Sequence, residues 1–77
     1  MQLGTRWSVG ADTPAKLPAA VVDAVRTVEA EIAALDTVTW RWTLTWLEGR
    51  PVVELDDGTV IRYDPLRDRA LITPPGE

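Results

Sequence analysis

The sequence predicts an α+β fold: a single amphipathic helix packed on a four- to five-stranded, mainly antiparallel sheet, in the order β-α-β-β-β with a further short strand at the end. Three observations carry this. Apolar residues recur at helical spacing through residues 18–35, the spacing switches to two near residue 37, and two hairpin signals then follow, Glu48-Gly49 and Asp57-Gly58.

The first strand is predicted over 3–9, where Leu3, Thr5, Trp7 and Val9 alternate with Gly4, Arg6 and Ser8. Gly10, Pro14 and Pro18 then break the pattern, and Pro18 suits the first turn of a helix, where its missing N–H is not needed. The helix over 18–35 places Val21, Val25, Val28, Ile32 and Leu35 on one stripe, with Asp23, Arg26, Thr27, Glu29 and Glu31 off it. Residues 38–47 alternate again: Val38, Trp40, Trp42, Leu44 and Trp46 face one way, and Thr39, Arg41, Thr43, Thr45 and Leu47 the other. Strands over 50–56 and 59–64 follow the two turns, "DPLRD" turns the chain once more into "RALIT", and residues 1–2 and 74–77 are expected to fray. Residues 1–77 thus read as one small domain, near the lower size limit for independent folding.

Loop length fixes register. A two-residue turn at Glu48-Gly49 sets Leu47 opposite Arg50, Leu44 opposite Val53 and Trp42 opposite Leu55. A two-residue turn at Asp57-Gly58 sets Leu55 opposite Val60 and Val52 opposite Tyr63. One face then carries the tryptophans with Leu44, Val53, Leu55, Val60 and Arg62, and the reverse face carries Val52, Ile61, Tyr63 and Thr45.

A chain this short needs its large side chains inside, so Trp42 and Leu44, in mid-strand, are expected in the core. Trp40 and Trp46 lie near the strand ends, and with Arg62 they form the expected edge surface for a ligand or partner. A helix about 10 Å wide covers roughly two strands spaced about 4.8 Å apart. The remaining sheet must roll into a barrel or be covered by a second copy, and the reverse-face group Val52, Ile61 and Tyr63 points to a homodimer.

Composition excludes several chemistries. The chain has no His and no Cys, which removes nucleophilic triads, thiol chemistry, disulfides and His- or thiolate-based metal sites; no metal or cofactor is expected. The acidic run at Glu54, Asp56 and Asp57 lacks the ligand spacing of a calcium loop and reads as a turn. Twelve acidic against eight scattered basic residues disfavour nucleic-acid binding. No stretch is long and apolar enough for a membrane span or a signal peptide, so a cytoplasmic protein is expected, and seven Arg against one Lys suit a GC-rich bacterial genome. The functional expectation is a non-enzymatic protein-binding or self-associating module, such as an adaptor, regulator or immunity-type partner. The alternative is a small-molecule or peptide binder using the edge tryptophan and arginine surface.

Overall fold

A computed structural model describes residues 5–76 and contains β1 (Thr5–Ser8), α1 (Ala19–Glu31), β2 (Arg41–Leu47), β3 (Arg50–Leu55), β4 (Val60–Asp64) and β5 (Arg69–Thr73). The predicted strand residues Leu3 and Gly4, and the expected fraying at residues 1–2 and 77, lie outside the described residues. The five strands form one sheet in the order β1-β2-β3-β4-β5 with every neighbouring pair antiparallel. One helix on a five-stranded antiparallel sheet, in the order β-α-β-β-β-β, is the α+β architecture that the periodicities predict.

Pro18 precedes α1 with φ −59°, and its carbonyl accepts from the N–H groups of Val21 and Val22, starting the helix as a fixed φ allows. Val21, Ala24, Val25 and Val28 are buried, following the predicted stripe. The helix ends earlier than the spacing suggested. Past Glu31 the chain tightens into i→i+3 turns, Ala33 to Ala30 and Leu35 to Ile32, and the Asp36 side chain accepts the Val38 N–H. Leu35 therefore leaves the stripe and is exposed, and Val38, expected in the second strand, is 77% exposed in the turn before β2.

The first hairpin keeps the predicted register, with Leu47 opposite Arg50 and Trp42 opposite Leu55. Glu48 and Gly49 both take positive φ, 54° and 79°, as a tight two-residue turn on a right-twisted ribbon requires. The second hairpin differs. The Gly58 N–H donates to the Leu55 carbonyl and the Leu55 N–H to the Thr59 carbonyl, so residues 56–58 form a three-residue loop with Gly58 at φ 104°. Val52 then pairs with Arg62, Val53 with Ile61 and Glu54 with Val60. A one-residue slip turns every side chain of a strand over. Ile61 and Tyr63, expected on the reverse face, face the helix instead, and Val60 and Arg62, expected toward the helix, lie on the outer face.

The core comprises Trp7, Leu17, Val21, Ala24, Val25, Val28, Trp42, Leu44, Val53, Leu55 and Ile61. α1 lies closest to β4 and β5. Over β1 and β2 the space is filled by the indoles of Trp7 and Trp42, stacked with centroids 6.4 Å apart and 21° between planes. Val9 and Ala11 of the connection pack against the same cluster. Two bulky rings and a loop thus cover the inner face where one helix is too narrow, and the sheet is a linear run of five strands with β1 and β5 at its edges.

Candidate functional site

Among the described residues, no element packs on the outer face of the sheet, away from α1. Register fixes its composition row by row: Arg6, Thr43, Glu54, Val60 and Thr73 lie side by side across the strands, as do Thr45, Val52, Arg62 and Leu71 in the next row. A further row holds Leu47, Arg50, Asp64 and Arg69. Val52 and Val60 are half-buried by their neighbours, while Leu47 is 63% and Leu71 53% exposed. An apolar band therefore runs obliquely across an otherwise Thr- and Arg-rich surface.

The charges on this face divide into engaged and unengaged groups. Asp56 pairs with Arg6 at 3.3 Å and accepts the Arg41 backbone N–H at 3.0 Å, while the Arg41 guanidinium turns to the carbonyls of Val38 and Trp40. Arg41 and Asp56 form no side-chain ion pair among the described residues. Asp64 pairs with Arg67 and accepts the Leu66 N–H, closing the β4–β5 turn. Glu54, Arg50, Arg62 and Arg69 have no ion-pair partner among the described residues.

At the turn end of this face a concavity of about 160 Å³ opens between the Leu47–Arg50 hairpin and β4, lined by Leu47, Glu48, Arg50, Pro51, Val52, Arg62 and Tyr63. Pro51 explains its position. Leu55 donates toward the β4 side, and the strand's period of two points residue 51 the same way, so proline removes the donor that β3 would extend there. The β3–β4 pairing stops at Val52–Arg62 as a result. The space is well below the 300–1,000 Å³ of ordinary small-molecule pockets, so it suits one side chain or one carboxylate.

The predicted site residues separate in the fold. Trp40 is half-buried and packs against the core just before β2. Trp46 is 37% exposed on the helix side, opposite Pro51. Arg62 is on the other face, so the expected pairing of an edge tryptophan with Arg62 does not form; Arg62 lies beside Val52 and Arg50 instead. Ile61 is fully buried and unavailable to a partner. Tyr63 is half-buried on the helix side and donates its hydroxyl to Asp68 Oδ1 at 2.6 Å, and that bond to a carboxylate raises the phenol above its ordinary value. Of the residues predicted on the reverse face, Val52 and Thr45 are on the outer face, and Ile61 and Tyr63 are not.

Alternation puts Leu47 on the reverse face, where it lies, but puts Val60 on the helix side and gives Leu71 no face; both follow once the three-residue loop and the β4–β5 register are known. Helical spacing places Glu29 off the apolar stripe of the helix. This carboxylate, its side chain 11% exposed, accepts from Trp42 Nε1 at 3.0 Å, the Gly10 N–H at 2.8 Å and Arg26 at 2.6 Å, joining α1 to β2 and to the end of β1's turn. Asp57 is taken up by the Thr59 N–H at 2.8 Å, as an Asx turn. Comparison of the chain with protein-family models, with curated proteins and with solved structures finds no match.

Proposed function

We propose that this protein is a non-enzymatic association module and that its working surface is the outer face of the sheet. The observation that carries the reading is the unpartnered band of Leu47, Val52, Val60 and Leu71 on a five-stranded sheet whose other face carries the core. In a chain of 77 residues so much apolar surface is costly to leave wet, and association removes that cost. The absence of His and Cys from the sequence, and the engagement of Glu29, Asp56, Asp57 and Asp64 in structural hydrogen bonds, support binding over catalysis.

Leu71→Glu is the direct test, since Leu71 is exposed and its replacement leaves the core intact. Sedimentation at micromolar concentration is expected to show assembly by the natural chain and its loss in the variant, or a captured partner that the variant no longer holds, with unchanged circular dichroism. A natural chain that stays monomeric and captures the same proteins as Leu71→Glu would remove the reading. The concavity at Arg50 and Arg62 supports a narrower second reading, a site for a single carboxylate of a peptide.

A further inference from the structure

We infer that the occupant of the outer face is a second copy of this chain, stacked sheet on sheet about a two-fold axis that crosses the strands, with Arg62 of each copy paired to Glu54 of the other. The inference rests on the open-face reading above and adds the partner and its register.

Area argues for a flat partner. Five strands about 4.8 Å apart, with four side-chain rows about 6.6 Å apart once the row of Ser8, Arg41 and Asp56 is counted, make roughly 600 Å² in projection. A standard interface takes about 800 Å² of accessible surface from each side. Side-chain relief makes up the difference only if nearly the whole face is covered. A helix covers two strands, whereas another sheet covers five, and aligned sheet stacking is the ordinary way two such faces meet.

Charge selects the axis. Glu54 is the carboxylate of this face without an ion-pair partner among the described residues, and it lies in the row of Val60. Arg62 lies in the next row and Arg50 and Arg69 in the one after, also without carboxylate partners. An axis parallel to the strands would bring the arginine-rich ends of the two faces together. An axis across the strands, passing between the Glu54 and Arg62 rows, reverses one face over the other. Each strand then lies over its own counterpart and the Arg62 row of one copy covers the Glu54 row of the second, so Arg62, above Val60, reaches one strand, about 4.8 Å, sideways to Glu54, twice by symmetry, and Val52 and Val60 flank the axis. Charges left unpaired in the single chain thus find partners at the positions where stacking would otherwise strip them of water.

The test is a charge exchange read by sedimentation equilibrium at low salt on the natural chain, Glu54→Arg, Arg62→Glu and the double variant. Both side chains are exposed, so thermal melting at high dilution checks that each variant folds. The natural chain is expected to dimerise, each single reversal to weaken the dimer by at least about tenfold, and the double variant to regain it. A double variant no better than the singles, or singles as dimeric as the natural chain, overturns the pairing while leaving association through the face in place. A monomeric natural chain that loses a captured protein on Leu71→Glu overturns the second copy as occupant but keeps the open face. A monomer indifferent to Leu71→Glu removes both.

Discussion

Glu29 sits off the apolar stripe of α1, where helical periodicity assigns it to solvent, yet its two oxygens accept from an indole, a backbone N–H and a guanidinium. Two of those donors belong to groups that would lose their acceptor in its absence, and the indole is that of Trp42, whose side chain is fully buried. Glu29→Ala is therefore expected to cost about 2–3 kcal/mol in urea unfolding, with Glu29→Gln intermediate because it keeps the acceptor oxygen but not the charge. A loss below about 0.5 kcal/mol, the range of an ordinary surface substitution, would show the network to be idle. Periodicity reports which positions are apolar and is silent about a polar side chain long enough to reach inward, which is why Glu29 was illegible. The burial of Trp42 and Leu44 was legible, because mid-strand position and size decide it.

At the scale of elements, the two hairpins were read with unequal success, and the stronger turn signal, Asp57-Gly58, is the one whose register differs. Both turn dipeptides end in glycine, but Glu48-Gly49 closes a two-residue loop and Asp57-Gly58 belongs to a three-residue one. What separates them is side-chain chemistry: Asp57 accepts the Thr59 N–H, holding the chain in a turn one residue longer, and the extra residue sends Ile61 into the core. The dipeptide marks a turn without counting its residues, so the strands were legible and the faces of β4 were not. Gly58→Val is expected to lower stability by about 1–3 kcal/mol, since a β-branched residue is strained at φ 104°. Asp57→Asn should stay within about 0.5 kcal/mol, because the amide oxygen can accept the same N–H. Thermal melting of the two variants, read side by side, decides the matter, and equal melting temperatures would contradict it.

For the molecule as a whole, the order of elements and the antiparallel sheet followed from the change in period and the turn signals. One helix is too narrow for the inner face of the sheet, as its width implies. Inside, Trp7 and Trp42 widen the cover, a contribution of ring size that counting elements leaves out. Strand order equal to chain order also carries a consequence for how the fold assembles. From β2 to β5 each new strand closes a loop of a few residues, at small entropic cost, whereas β1 reaches β2 only across residues 9–40. The three-hairpin ribbon is thus expected to form early and β1 to dock late. In stopped-flow chevrons Val53→Ala should mainly slow refolding and Trp7→Leu mainly speed unfolding, and the opposite partition would refute this order. On this order β1 is the last strand to join and the first to leave, so the free margin of β2 is where the folded chain opens.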